Sequence, residues 1–265
     1  MNTGTPIMRT VLYAWSGIVF LFLMLPIFIV FPISFSSARY LRFPPPGFSL
    51  KWYQAYLNDP AWMAATETSI KVAIGTTVLA TLLGTMTAFS LVRGRYPGKS
   101  WVDRLVTAPI IVPNIIIAIA IYGLFAQFRL IGNWLGVMIG HTIYAIPFVV
   151  LVVGAALRTF DPAQEQAAMG LGASRLTAVW RVTLPQLRPA IVSAAFLAFI
   201  TSFDELIIAM FLSGSNSTLP KKMFENIIME IDPTISAVSV LQILLVGIVL
   251  FLASRFGAGI NPVKT

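Results

Sequence analysis

Asp161-Pro162-Ala163-Gln164-Glu165-Gln166-Ala167-Ala168-Met169-Gly170-Leu171-Gly172-Ala173-Ser174 lies between two long apolar runs and continues through Arg175 to Leu184-Pro185-Gln186-Leu187-Arg188-Pro189. Membrane chains usually join spans with a few residues, whereas this connection, 158–188, is roughly thirty residues long. Asp161 suits a helix cap and Pro162 the first helical position. Gln164, three residues after the cap, makes a capping-box-like pattern. A helix is expected over 162–171, with Gly170 and Gly172 offering stop conformations. Ser174 caps a second short helix, 175–182; Pro185 bars its continuation and Pro189 opens the next span. Ala167, Ala168, Gly172 and Ala173 carry little side-chain bulk, so this backbone can lie close to the walls of a groove. The preferred reading is a docking helix that carries force between two proteins; a re-entry turn on the headgroups is the other.

The flanking runs set the fold class. The chain is 57 % hydrophobic and 11 % charged, against roughly 25 % charged in soluble domains. Several runs exceed the ~18 residues that suffice to cross a bilayer as helix. The expectation is an all-α membrane protein, a single transmembrane domain over 1–265, with six transmembrane helices at about 11–35, 68–92, 105–128, 137–157, 189–213 and 236–254. The first run is longer than the ~7–15 residues of a signal peptide core and reads as a retained span. The net charge is +8. With both termini inside, cytoplasmic segments hold Arg9, Arg93, Arg95, Lys99, Arg104, Arg158, Arg175, Arg181, Arg188, Arg255 and Lys264. Outer segments then hold Arg39, Arg42, Lys51, Arg129, Lys221 and Lys222, so the bias is eleven to six in favour of this orientation. Basic charge distributed in this way implies a lipid bilayer as partner and no nucleic acid. The absence of cysteine excludes thiol catalysis and thiolate metal sites.

Proline inside the spans, at Pro26, Pro32, Pro109, Pro113 and Pro147, kinks helices. Pro109 and Pro113 flank Val112, which makes the third span the one expected to be distorted. In the first outer segment Ser49 caps a helix that places Trp52, Tyr53, Tyr56 and Leu57 on one face, an interfacial aromatic anchor or a surface for an external partner. The second outer segment, from Gly214, carries Lys221, Lys222, Glu225, Glu230 and Asp232, and its short helix is expected to end at Asp232-Pro233.

Gly94-Arg95-Tyr96-Pro97-Gly98-Lys99-Ser100 imitates a phosphate-binding loop. The pattern requires four residues between its glycines and this stretch has three, with Arg93 at the required glycine position. Pro97 also removes an N–H that a phosphate cradle would use. Arg93, Arg95, Lys99 and Arg104 therefore read as a positive-inside turn, and the chain shows no means of hydrolysing ATP.

Gln166-Ala167-Ala168, then Gly172, then Leu184-Pro185 resembles the EAA loop of binding-protein-dependent ABC importer permeases. Gly172 matches the motif's glycine register. The departure is at the first position, where the motif's glutamate is Gln166 and Glu165 stands one residue earlier; whether Glu165 supplies the missing carboxylate is open. Phe43–Tyr53, Arg93–Gly98, Ser202-Phe203-Asp204-Glu205 and Thr218–Lys221 are similar to the spermidine/putrescine branch. The resemblance implies a type I ABC importer permease fold with a cytoplasmic coupling helix between spans four and five. It implies ATPase-coupling roles for Glu165, Gln166, Ala167, Ala168, Gly172, Ala173, Leu184 and Pro185. The implied partners are two cytosolic ATPase subunits, a second permease or a copy of this chain, and a periplasmic substrate-binding protein. No cofactor belongs to this chain; ATP and Mg are bound by the partner ATPase, whose closure would draw the coupling helices together.

Asp204 and Glu205 interrupt an apolar run, and a charge near the bilayer centre costs at least ~2.5–3.5 kcal/mol. Carboxylates with aromatic walls suit a polyamine through ion pairing and cation–π contact. Phe203 and Phe211 are close in sequence, and Tyr122 and Tyr144 lie on other spans. The substrate path is accordingly assigned to Asp204, Glu205, Phe203 and Tyr122, with pairing across the permease interface and a water-exposed outer gate as the other readings. His141, alone, reads as an interfacial or hydrogen-bonded side chain. The expected function is half of an ATP-driven pathway for a small cationic solute, most simply a polyamine such as spermidine or putrescine. γ-Aminobutyrate, an opine or other amine, or ferric iron in the same importer class is the alternative. A secondary transporter would need its own coupling-ion site and usually repeated spans, and an enzyme would need a nucleophile–base pair or metal ligands; neither pattern is present in the sequence.

Overall fold

The computed structural model describes residues 6–229 and 232–257; Glu230 and Lys264 lie outside them. Among the described residues the regular elements are helical, apart from an isolated antiparallel bridge between Ser36 and Phe48. Five helices are long and apolar enough to cross a bilayer, and a bent pair supplies a sixth span. Two compact units are formed, one from residues 1–60 and 223–244 and the other from 61–222 and 245–265.

In the first unit, α1 (Pro6–Ser34) is followed by a short helix α2 (Lys51–Asn58). The aromatic face of α2 grips the chain that leaves α1. Tyr53 Oη and Ser34 Oγ are 2.8 Å apart, and Trp52 Nε1 donates to the Ser36 carbonyl at 2.9 Å. Tyr53 also packs on Phe35 with centroids 5.1 Å apart. Tyr56 is buried while Leu57 stays exposed, so the expected face is split: its aromatic members are internal struts and only Leu57 faces outward. Ser49 is not the N-cap of α2 as expected: Leu50 holds that position without a side-chain hydrogen bond, and the Ser49 hydroxyl accepts from the Lys51 N–H at 3.2 Å from one residue upstream.

The second unit begins with α3 (Pro60–Arg93), which starts ahead of the expected boundary at 68 because Pro60 fits a first helical position. Its 34 residues reach about 51 Å at 1.5 Å per residue, well beyond a ~30 Å hydrocarbon core. The third span is α4 (Lys99–Ile111) and α5 (Asn114–Gln127), bent by 113°. The cause lies in the sequence. A residue before proline is pushed out of the helical region, and Val112 has ψ 132° before Pro113. Pro109, one turn earlier, is absorbed inside α4. The next elements are α6 (Trp134–Thr159), α7 (Ala163–Gly170) and α8 (Arg175–Ala178).

From α8 the chain runs without interruption through a π-helical turn, Val179–Thr183, into α9 (Leu184–Phe203). The expectation that Pro185 ends one helix and Pro189 opens another is corrected here. A wider turn, closed by the Leu184 N–H on the Val179 carbonyl, makes room at the point where Pro185 has no N–H to give. The fifth span is also not continuous to 213. It stops at Phe203 and resumes as α10 (Ile207–Leu212).

The last elements among the described residues are α11 (Leu219–Met229) and α12 (Thr234–Gly257). The end expected for α11 at Asp232-Pro233 adjoins residues 230 and 231, which lie outside the described residues. The Asp232 Oδ1 accepts from the Thr234 N–H at 2.6 Å and so caps the start of α12.

Two clusters hold the second unit. One joins Val72, Ala118, Ile121, Phe125, Val137 and the α10 residues Ile208, Ala209 and Leu212. The other is built from small side chains: Ala80 and Ala88 of α3, Ala145, Val149 and Val153 of α6, and Ala194 and Ala198 of α9. A Cβ at Gly84 would come within 2.7 Å of Val149 and 3.3 Å of the Ile146 carbonyl oxygen, so α3 and α6 meet there almost backbone to backbone. Small residues permit this close approach between membrane helices.

Candidate coupling loop and transport cavity

The connection between α6 and α9 folds into a helix, a tight turn and a second helix. The Asp161 carboxylate accepts from the Ala163 N–H at 2.9 Å and starts α7. Gln164 does not close a capping box; its carboxamide oxygen accepts from Gln186 Nε2 at 2.5 Å, across the loop. α7 ends in a Schellman pattern. The Gly172 N–H reaches the Met169 carbonyl at 3.0 Å and the Ala173 N–H reaches the Ala168 carbonyl at 3.1 Å. Gly172 has φ +92°, a conformation that an L side chain resists, and open space surrounds its α-carbon. Gly170 is not the left-handed residue. Ser174 then accepts from the Thr177 N–H at 3.2 Å to start α8.

One carboxylate pins this loop to α3. Glu165 Oε1 takes the guanidinium of Arg93, the last residue of α3, and the hydroxyl of Thr183 in the π turn. Arg93 lies over the rings of Phe89 and Phe160, at 5.5 and 5.3 Å. Burial pushes the Glu165 carboxyl up, but the hydrogen bonds from Arg93 and Thr183 and the charges of Arg93 and Arg175 outweigh it and hold it below the usual carboxylate range. Gln166 and Ala167 face outward beside it, Ala168 and Ala173 are half-buried, and Leu171 at the tip is 91 % exposed. Leu184 is half-buried and Pro185 exposed on the far side of the π turn.

The break in the fifth span has a chemical cause. Glu205 is 5 % exposed, and its Oε2 accepts from the Ile208 and Ala209 N–H groups at 2.8 and 3.2 Å. These are the orphan donors at the start of α10. His141 Nε2 of α6 lies 3.4 Å from the same oxygen, and its Nδ1 is 2.9 Å from Ser202 Oγ. His141 is therefore a buried hydrogen-bonded side chain and not an interfacial one. Among the described residues no group of His, Asp and Glu is arranged to hold a metal ion.

Asp204, next to this buried carboxylate, is exposed, and both acids line a cavity of about 430 Å³. Tyr144 and Phe148 of α6 wall it, edge to face with centroids 5.7 Å apart, and Asn114 and Thr201 add polar groups. Two of the assigned path residues lie elsewhere. Phe203 is buried and stacks on Phe199, and Tyr122 packs edge-on against Phe211 at 6.4 Å. Phe148 was visible in the sequence as the residue one helical turn beyond Tyr144. Asn114 was visible as the first residue after the proline break. Thr183 carried no signal.

Residues 80–262 match the model of the binding-protein-dependent transport system inner membrane component family. The chain belongs to that family. It is 35 % identical to the putrescine transport system permease protein PotI of Escherichia coli (strain K12), over 88 % of this chain and 86 % of that one. It is 30 % identical to the spermidine/putrescine transport system permease protein PotC of the same strain, over 89 % of each. In fold it is similar to a chain of a bacterial ABC transporter that imports the polysaccharide alginate, with TM-score 0.73, 19 % identity and coverage of 97 % and 99 %. A chain of the MetNI methionine ABC transporter in an inward-facing form aligns with TM-score 0.64 and 20 % identity over 75 % of this chain and 95 % of that one. This family member is a multi-pass permease subunit of the ABC importer class, and not an enzyme.

Proposed function

We propose that this permease, working as one domain, forms half of the pathway by which an ATP-driven importer takes up a small polyamine of the putrescine or spermidine class. The observation that carries this reading is the Asp204 cavity: an exposed carboxylate beside the buried Glu205, two aromatic walls and two neutral polar groups at a break in a membrane helix. A diamine offers an ammonium for the carboxylate and a methylene chain for the rings. The α9 helix of 20 residues is about 30 Å long, so Asp204 lies at the end of the span remote from the coupling loop. With both termini cytoplasmic, as the basic residues favour, that end faces the side from which substrate arrives. The names of PotI and PotC, relatives over most of the chain, support the same class of solute.

The partners in this reading are two cytosolic ATPase subunits that bind ATP and Mg, a second permease, and a periplasmic binding protein. The α7 helix, Glu165–Ala168 with Gly172 and Ala173, is the part an ATPase holds. Leu184-Pro185 and the π turn join it stiffly to α9.

The test is uptake of labelled putrescine into proteoliposomes holding the assembled transporter, with ATP on the coupling-loop side. Uptake requires ATP and the binding protein. Asp204→Asn raises the half-saturating concentration about tenfold, the loss of one charge-assisted contact, while Asp204→Glu is milder. Flux through the purified chain alone, driven by a proton gradient, would sink the proposal. Uptake unchanged in Asp204→Asn, or competition by γ-aminobutyrate, an opine or ferric iron but not by diamines, would overturn the solute assignment.

A further inference from the structure

The turn after α3 departs from the phosphate-loop pattern, and the residue just before it, Arg93, is a closely held cation. Arg93 is anchored between two aromatic rings and the Glu165 carboxylate. Glu165 in turn receives Thr183, which is fully buried. Three elements therefore meet at one carboxylate oxygen: the end of α3, the first turn of α7 and the π turn leading into α9. The pair is largely withdrawn from water, with side-chain exposures of 22 % for Arg93 and 13 % for Glu165. Chain connectivity links α7 to α6 and, through α8, to α9. It gives no direct link to α3, and the carboxylate supplies one.

We propose that Glu165 is a positioning residue that ties the coupling helix rigidly to α3, so that a displacement imposed on α7 by an ATPase moves spans two, four and five as one body. This rests on the permease reading of the preceding section. It also assigns the two acid positions of the loop. Glu165 is turned inward and consumed by Arg93 and Thr183, so it does not supply the outward carboxylate that is absent at Gln166. The partner meets a neutral amide there and contacts it by hydrogen bonding, not by an ion pair.

The chain contains no cysteine, which makes it a ready background for paired spin labels. Labels are placed at Met86 on α3 and Leu171 at the tip of the loop, both well exposed. The label separation is measured in the assembled transporter with and without ATP. The separation stays fixed in the wild-type background and changes with ATP in Glu165→Gln. A wild-type separation that shifts with ATP, or a Glu165→Gln separation that does not, overturns the strut. Charge exchange supplies the second readout. Glu165→Arg and Arg93→Glu each lower ATP-dependent uptake about tenfold, in the range of ordinary coupling between sites, and the double exchange recovers most of it. If the doubly exchanged protein is no better than either single variant, Glu165 answers to the partner and not to Arg93. Failure of an ATPase to co-purify with the wild-type chain would instead remove the ATPase-coupling part of the proposed function.

Discussion

At the scale of single residues, two adjacent pairs, Glu205 with Asp204 and Glu165 with Gln166, each divide into a carboxylate largely withdrawn from water and an exposed neighbour. Glu205 is buried and spends one oxygen on the N–H groups that begin α10, while Asp204 beside it is exposed, and both line the cavity. Glu165 is sealed against Arg93 and Thr183, which leaves Gln166 outside. In each pair the inner residue is engaged in hydrogen bonds within the chain, and the outer one is the residue the proposed function gives to binding. The ionisation of Glu165 gives a prediction with a definite sign. Its carboxyl is held below the usual range in the folded protein, so its contribution is complete above the unfolded value near 4.5 and is lost as pH falls through the folded one. Between about pH 6 and 8 the strut does not titrate. Melting of the purified protein in detergent should therefore show a wild-type advantage over Glu165→Gln that is constant across that range and shrinks in stronger acid. An advantage worth about 1 kcal/mol appears as about 2–4 °C in Tm. An advantage that grew on acidification would contradict the ion pair.

At the scale of elements, proline and glycine act through backbone geometry and not through bulk. Pro113 turns the third span through 113°, while Pro185 is absorbed by a π turn that keeps α8 and α9 mechanically continuous. A stiff rod from loop to span suits a part that transmits displacement. Gly172 is the opposite case, a sharp stop at φ +92° with nothing near its α-carbon. A methyl group there finds ample space, so its cost is conformational, about 1–2 kcal/mol for an L residue in the left-handed region. Gly172→Ala should weaken capture of the ATPase subunit by the solubilised permease by about fivefold or more. Gly172→Asn should be milder, because asparagine visits that region more readily. Equal capture by wild type and Gly172→Ala would mean that the turn reshapes at no cost. The turn was legible in the sequence because glycine at that register has one strong use. The continuity through Pro185 was not, because a π turn depends on where the displaced carbonyl can go, and that is decided by tertiary neighbours.

At the scale of the whole molecule, the composition and the apolar runs were enough to find the spans, and the caps and glycines of the loop were enough to expect two short helices between the fourth and fifth of them. The cavity was only half legible. Asp204 stood out because a carboxylate in an apolar run is costly, but its walls come from α6, some sixty residues away in sequence, and adjacency along the chain pointed instead to Phe203. Orientation is the remaining property that rests on the sequence, through eleven basic residues against six. It can be decided directly. In the cysteine-free chain a single cysteine replaces Leu171, 91 % exposed at the loop tip, or Phe48, 76 % exposed between α1 and α2. In intact cells a membrane-impermeant maleimide should label the Phe48→Cys protein and spare the Leu171→Cys protein. In inside-out vesicles the pattern should invert, and a bound ATPase should then shield position 171. Labelling of Leu171→Cys from outside would place the loop where no cytosolic ATPase can reach it, and the positive-inside argument would fail together with the coupling role of α7.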